Sequence, residues 1–508
     1  MNAAECLLSE GADEAFALEC GNERIAYGEL RDTVCRAAGA WRELGLNAGE
    51  RVAIFAPDSI DWVIAYLGAI WAGGVAIGVN PRLPLTDFAP IVSDSEVRHI
   101  WCEDGPSADI CAMAKTLPLP PGVVSAGSGA DRSWSASLAT AERVNPSQYQ
   151  DDDPALWIGT SGTTGIPKGV VHAQRVAHEA HSFARRVLQL DRDDRLYATS
   201  KLFFAYALAN SLFAGLRLGA TVILDRERPA PERVVAVVAR HRPTVLFTVP
   251  TLYNKMLQQR VAPDLRHCGI RHFMSAGEAM PNTVNKAWLA ATGRAPISGY
   301  GTSETLSLVL YCDDDSGLLR PTPLTSVRYP EATDIDQPQR IWLRNPALAL
   351  GYWRRPEAQA DAFREGWFSP GDVFLRRGDE GLEFAGRSDD LLKVSGQWVS
   401  TLWIEHALTE AAGDAIDQVA AVGAPTNDGL MTISVLSVAS PGREDEAKRL
   451  IDRAIGRLPR YRRPAWVHWV SELPLTATGK LQRSRLRGVH DSMLSSAQIR
   501  ADSPGISQ

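Results

Sequence analysis

The run Thr160-Ser161-Gly162-Thr163-Thr164-Gly165-Ile166-Pro167-Lys168-Gly169 stands between the apolar stretch Ala155 to Gly159 and the β-branched pair Val170-Val171. A loop so placed joins two strands. Its glycines permit positive φ and close backbone approach, so successive N–H groups can turn toward one anion. Thr160, Ser161, Thr163 and Thr164 add hydroxyl donors and Lys168 adds a positive charge, and together they predict a phosphate cradle. It is not the Walker loop, which opens a helix and needs Ser or Thr after its Lys; here Pro167 precedes Lys168 and Gly169 follows it. Chance would supply a match of this specificity on the order of 10⁻⁸ in such a length.

A sheet must hold that loop, and the flanking sequence predicts one. Arg51 to Phe55 reads as a strand, Ile60 to Ala72 as a helix and Val75 to Val79 as the next buried strand. Thr221 to Leu224, Pro231 to His241 and Thr244 to Val249 repeat the strand, helix, strand order, which implies parallel sheet. The fold class is therefore α/β. At 508 residues the chain exceeds what one hydrophobic core supports. Character changes after Gly386, and we expect a large N-terminal multi-subdomain α/β region over 1–388, a small mobile α+β C-terminal domain over 389–489 and a flexible tail over 490–508. Segment 117–153, rich in Pro, Gly, Ser and Asp, reads as irregular surface chain. No internal repeat is present, which excludes a solenoid or propeller.

The formal net charge of -7 excludes a general attraction to nucleic acid or to an anionic membrane. Met1 to Glu10 lacks a basic stretch followed by an apolar one, and no apolar run is long enough to span a bilayer. Seven cysteines (Cys6, Cys20, Cys35, Cys102, Cys111, Cys268 and Cys312) are scattered and odd in number, without metal-ligand spacing. A reducing, cytoplasmic setting fits.

The loop, with Arg51-Val-Ala-Ile-Phe-Ala-Pro-Asp-Ser-Ile-Asp-Trp62 at one end and Thr476-Ala-Thr-Gly-Lys480 at the other, resembles the adenylate-forming superfamily of acyl-coenzyme A synthetases, carrier-protein adenylation domains and luciferases. The likeness covers nearly the whole chain, and within the superfamily the benzoate and aryl-coenzyme A ligase branch is the most similar. What it implies is an AMP-forming acid–thiol ligase that uses ATP, Mg²⁺ and coenzyme A, makes an acyl-AMP, and then makes an acyl-coenzyme A thioester.

The resemblance also assigns roles. Thr160 to Gly165 and Lys168 would hold the ATP phosphates. Gly277, Glu278 and Ala279, in Ser275-Ala-Gly-Glu-Ala279, would receive adenine. In Gly299-Tyr-Gly-Thr-Ser-Glu304, Tyr300 would stack on adenine beside Gly301, Thr302 would donate to the α-phosphate, and Glu304 would offer Mg²⁺ a hard oxygen. Asp372 would accept from the ribose hydroxyls and Arg387 would contact ribose or phosphate. Asp389 would be the pivot of the smaller domain, with Lys393 and Gly396 on the face presented during thioester formation. Lys480 would be the mobile catalytic cation, bridging the attacking carboxylate and the α-phosphate.

Lys201-Leu-Phe-Phe-Ala-Tyr-Ala-Leu-Ala-Asn210 is similar to the acid-pocket segment of benzoate ligases, so Phe203, Phe204, Ala205 and Tyr206, with Gly299 and Ser307, would wall an aryl or other bulky acid. The pattern there tends to carry Gly near Ala207 and Ala209, and His where this chain has Ser307. A smaller side chain implies an acid larger than benzoate or differently substituted. Val399 to Glu405 has Thr401 where Pro is usual and Trp403 where an acidic residue is usual, on the thioester-forming face. Segment 312–340 departs too, with Asp313-Asp314-Asp315. Two alternatives stay open: delivery of acyl-AMP to a carrier protein or partner enzyme, and a non-catalytic nucleotide-binding regulator. A homodimer also stays open.

Overall fold

The computed structural model describes residues 1–127, 132–160, 167–329, 338–378, 380–388, 391–394, 397–426, 430–474 and 481–501, the side chains of 484 and 496–501 excepted. Packing divides the chain into two compact units, Met1–Arg328 with Trp342–Pro370, and Tyr329–Ile341 with Gly371–Gln508.

In the first unit, an eight-stranded sheet runs in the order Gly351–Tyr352, Lys168–Ala173, Pro154–Thr160, Val75–Val79, Arg51–Phe55, Val97–Cys102, Gly122–Ser125, Arg132–Ser133. Its centre is parallel, as the strand, helix, strand pattern required. At one side Pro154–Thr160 and Lys168–Ala173 form an antiparallel hairpin that closes on the pair Thr160 and Lys168, so the predicted phosphate loop does join two strands. The second sheet has nine strands and places Ile297–Tyr300, His272–Ser275, Val245–Thr248, Arg195–Ala198 and Thr221–Leu224 side by side in parallel. Parallel strands are covered on both faces, hence their unbroken apolar runs.

The helices Tyr27–Glu43 and Ile60–Ala72 supply much of the core shared by the two sheets, with Trp41, Trp62 and Tyr66 fully buried. Ser59 caps the second of these helices by accepting from the N–H of Trp62, and Gly73, at φ 102°, ends it in a left-handed turn. Separate apolar clusters cover the outer faces of both sheets.

Two expectations need correction. Segment 117–153 is not irregular throughout: Gly122–Ser125 pairs in parallel with Val97–Cys102, and the helix Trp134–Thr140 buries Trp134 against Trp41 with ring centroids 4.8 Å apart. Flanking Pro and Gly clusters mask those short apolar elements. The tail expected from His490 is helical as far as Ala501, within the helix Arg483–Ala501. His490 is buried, its Nδ1 lying 2.9 Å from both Ser434 Oγ and His468 Nε2, and Leu486 packs on Ala420 and Leu436.

The second unit contains a three-stranded sheet of Ile416–Pro425, Met431–Ala439 and Trp466–Trp469, packed with the helices Thr401–Ala412 and Glu444–Arg457. A second three-stranded sheet pairs Gln339–Arg340 with Asp372–Arg376, and that strand with Leu382–Arg387. These pairings draw residues on both sides of Trp342–Pro370 into the second unit, so the packing boundary falls after Pro370, upstream of Asp389. Among the described residues no helix is long and apolar enough to cross a membrane.

Candidate active site

The turn Thr302–Glu304 follows the strand Ile297–Tyr300 and is held at every residue. Thr302 N–H donates to Thr305 Oγ1 at 2.9 Å, and the Leu306 N–H returns to the Thr302 carbonyl at 3.1 Å. The Ser303 carbonyl meets His172 Nε2 at 2.8 Å. Glu304 is held twice, by the Ala349 N–H on its carbonyl at 2.8 Å and by the Tyr352 hydroxyl on its Oε1 at 2.6 Å. Gly301 is required by contact: a Cβ there would lie 2.7 Å from the Ser307 carbonyl oxygen.

Those partners come from the hairpin of Pro154–Thr160 and Lys168–Ala173 and from its neighbour. His172 is on Lys168–Ala173, and Tyr352 pairs with Val170 on the adjoining strand. Lys168 Nζ lies 5.2 Å from the Tyr352 ring centroid. The hairpin end and the carboxylate are thus linked through one tyrosine. His172 is fully buried, and burial pushes its imidazole down to about 4, against the opposing effect of its backbone hydrogen bonds. It is neutral at ordinary pH.

The chemistry of this corner suits phosphate. Thr302 Oγ1 is buried with no partner, a hydroxyl that a phosphate oxygen would satisfy. Glu304 has its second oxygen for a cation. Among the described residues no cluster of three or more His, Cys, Asp or Glu side chains could enclose a metal. Glu278 accepts from the Thr251 hydroxyl at 2.7 Å, and Gly277, at φ 85°, turns the chain between it and the strand His272–Ser275. Ala279 is part-buried beside it. Ser161, Gly162, Thr163, Thr164 and Gly165 lie outside the described residues, as do Asp389, Gly396 and Lys480.

The Phe203 and Phe204 rings pack tilted against each other with centroids 4.4 Å apart, and Ala205 starts the helical run that continues to Leu218. That run widens to π geometry at Leu208–Phe213, an interruption that often marks functional sites. Tyr206 meets Phe247 edge to face at 6.0 Å; its hydroxyl is buried without a partner, and burial drives its ionisation out of reach. Asn210, which the sequence alone did not single out as a site residue, joins the two segments of the expected pocket: it donates to the Tyr206 carbonyl at 3.0 Å and accepts from the Leu308 N–H at 3.4 Å. A small pocket lies against Ser307, Asn210, Phe247 and Thr322. Phe203, Phe204, Ala205, Tyr206 and Gly299 do not line it; Gly299 instead packs on Leu308.

In the second unit, Asp372 and Arg387 are register partners on adjacent strands, with Arg387 Nε 3.8 Å from Asp372 Oδ1. Asp372 is buried and Arg387 is 61% exposed, so the arginine is available to a ligand while the carboxylate is placed by the strand. Lys393 Nζ lies 5.8 Å from the ring of exposed Trp398, and Arg462 stacks at 4.2 Å on exposed Trp403.

Residues 9–353 match the model of the AMP-binding enzyme, and 404–480 match that of the AMP-binding enzyme C-terminal domain. The chain belongs to the AMP-binding enzyme family. This AMP-binding enzyme is 36% identical to the 3-hydroxybenzoate–CoA ligase of Aromatoleum sp. (strain CIB), with 96% of each chain covered. It is 35% identical to the benzoate–CoA ligase of Thauera aromatica, over 95% of this chain and 93% of that one. Among solved structures it is similar to the anthranilate CoA ligase AuaEII in complex with anthranoyl-AMP, with a TM-score of 0.90 and 26% identity over 97% of this chain and 98% of that one.

Proposed function

We propose that this AMP-binding enzyme is an aryl acid–coenzyme A ligase that works through an acyl-AMP. The observation that carries the reading is kinship at about one-third identity with aryl acid–CoA ligases over nearly the full length. The held Thr302–Glu304 turn supports it physically.

In the first step a carboxylate oxygen of the acid attacks the α-phosphorus of ATP, the bond to the bridging oxygen breaks, and pyrophosphate leaves with that electron pair. The reactants are both anions, so the site must supply positive charge and fixed donors. The hairpin loop with Thr160 and Lys168, the Thr302 hydroxyl and Lys480 supply them. Glu304 would hold Mg²⁺, which would neutralise phosphate charge. Gly277 to Ala279 and Tyr300 receive the adenine, Asp372 the ribose, and Arg387 the ribose or phosphate. Phe203 to Tyr206, Gly299 and Ser307 wall the acid.

In the second step the coenzyme A sulfur attacks the acyl carbon, AMP leaves, and the thiol proton passes to solvent. The segment after Asp389 pivots to present Lys393 and Gly396. Trp403 favours a second reading, in which the acyl group passes to a carrier protein or partner enzyme, because it replaces an acidic residue on this face.

Purified protein with MgATP and a panel of aryl, alkyl and polycyclic acids, with and without coenzyme A, tests both readings by mass spectrometry. Aryl-AMP that converts to aryl-coenzyme A is expected. Aryl-AMP that persists with coenzyme A present gives the second reading, and no adenylate from any aryl acid overturns the proposal.

A further inference from the structure

The junction of the two sheets in the first unit holds a charged knot that neither step of the reaction uses. Asp58 follows the strand Arg51–Phe55, immediately before the helix cap Ser59, and is 3% exposed. Its Oδ1 and Oδ2 accept the N–H of Leu202 at 3.1 and 3.3 Å. Lys201, next in the chain to that donor, donates Nζ to the backbone carbonyl of Asp225. Asp225 follows the strand Thr221–Leu224 of the other sheet, is equally buried, and is clasped by Arg233 with Nε 3.1 Å from Oδ2. Residues 201–202 are therefore clamped between one strand end from each sheet.

What the clamp holds is the root of the Phe203–Tyr206 segment. The Phe204 N–H donates to the Lys201 carbonyl at 2.9 Å, and the Leu208 N–H donates to the Phe204 carbonyl at 3.1 Å, so a shift at Lys201 passes through one turn into the helix. Phe203 has no slack on its other side, since a Cβ on Gly78 would lie 3.1 Å from the Phe203 Cα. Charges so buried cost several kcal/mol each to desolvate, and apolar residues of similar volume often give an equally stable core. Burial raises Asp58 to about 6 and lowers Lys201, each opposed by the other's charge. Keeping buried charge there at that cost implies that it does something apolar residues would not.

We infer that Asp58 and Lys201 are positioning residues for acid recognition: Asp58 on the Leu202 N–H and Lys201 on the Asp225 carbonyl fix the root of the Phe203–Tyr206 wall and so set the affinity for the aryl acid without touching ATP. The inference rests on the proposed function for the wall's role. It predicts a separation that a merely structural pair would not produce, with KM for the acid rising while KM for ATP holds.

The test compares Asp58→Asn and Lys201→Met with the wild type in the full chain. Adenylation is followed by pyrophosphate exchange with benzoate, 3-hydroxybenzoate, 2-aminobenzoate and hexanoate, and hydrogen–deuterium exchange is followed at 201–208 and 297–304. Asp58→Asn keeps an acceptor for Leu202 but loses the charge. It should raise KM for the acid about tenfold, leave KM for ATP within about twofold, and speed exchange at 201–208 but not at 297–304. Unchanged acid KM in a folded variant, or an equal rise in both KM values, overturns the inference. If the single variants do not fold, Asp58→Leu combined with Lys201→Met removes both charges together and is subject to the same criteria. A wild type that adenylates hexanoate but no aryl acid defeats the aryl reading, and the hexanoate KM of the variants then decides the clamp. With no acid turned over, exchange at 201–208 decides it, faster exchange supporting the clamp and unchanged exchange overturning it.

Discussion

The Thr302–Glu304 turn and the Lys393–Trp403 face differ in how they are held. In the first, the Ser303 carbonyl and the Glu304 carboxylate are bound by strand residues far away in sequence, and His172 at its back is buried and neutral. In the second, the aromatic rings of Trp398 and Trp403 are exposed, and their neighbours are long cationic side chains stacked on them. Preorganised donors cost nothing to reorient during reaction, whereas exposed rings and flexible cations adapt to a ligand that arrives. The contrast matches a phosphoryl-type step that needs fixed charge and a thiol step that needs access.

The largest effect should come from removing Lys480, the cation proposed to bridge the reactants of the first step. Lys480→Ala is expected to lower adenylation by at least ~10²-fold while leaving thioester formation from supplied acyl-AMP largely intact. Half-reaction kinetics check this, and equal loss in both would break the division between the two regions.

The second prediction uses the burial of the first region. His172 in the folded chain is held at about 4, below the ordinary value near 6.5, so the unfolded chain binds a proton before the folded one does. Its contribution is fully present above pH ~6.5 and is lost as pH falls toward ~4, by at most about 1.4 kcal/mol per pH unit. Chemical denaturation of the wild type across that range should show the loss, and His172→Gln should flatten it. A slope unchanged by that substitution would mean that the imidazole is not what makes the turn acid-sensitive.

How far the sequence foretold these regions follows from what each depends on. Ile60 to Ala72 and Val75 to Val79 were legible to the residue, because a buried helix and a buried parallel strand both need unbroken apolar runs and a Gly to end the helix. The hairpin position of the phosphate loop was legible from the strand formers on each side. The partners of the turn were not. Tyr352 and His172 are 48 and 131 residues from the groups they bind, and nothing local marks a tyrosine as the partner of a distant carboxylate. Gly122–Ser125 was missed because four residues between Pro and Gly clusters carry too little periodicity to read. The strand Gln339–Arg340 joins the second unit by pairing with residues more than thirty positions on, which no local pattern reports.

Tyr352→Phe sharpens the contrast by removing one oxygen from the fixed region. Glu304 would keep the Ala349 N–H on its backbone carbonyl, and its carboxylate would lose the hydroxyl that aims it, a neutral donor to a charged acceptor worth about 1.5–3 kcal/mol at most. Adenylation should fall about tenfold and half-saturation should need more Mg²⁺, with thioester formation from acyl-AMP unchanged. Titration of Mg²⁺ in both half-reactions separates positioning of the carboxylate from a loss of fold.

Trp403→Ala probes the adaptable region, where the smallest effect is expected. Trp403 is 38% exposed and its ring is covered on one side by the Arg462 guanidinium, an exposed cation–π contact of roughly 0.5–1 kcal/mol. Its N–H is bound by Ser400 Oγ as part of the helix cap, which the substitution leaves in place. If the ring takes part in recognising coenzyme A, KM for coenzyme A should rise two- to threefold with adenylation unaltered, because the residue is absent from the first region altogether. A variant with unchanged KM would make the exposed rings bystanders of the thiol step. A rise of a hundredfold or more would instead mean that this face is as fixed in the working enzyme as the turn at Glu304, and the contrast between the two regions would fall.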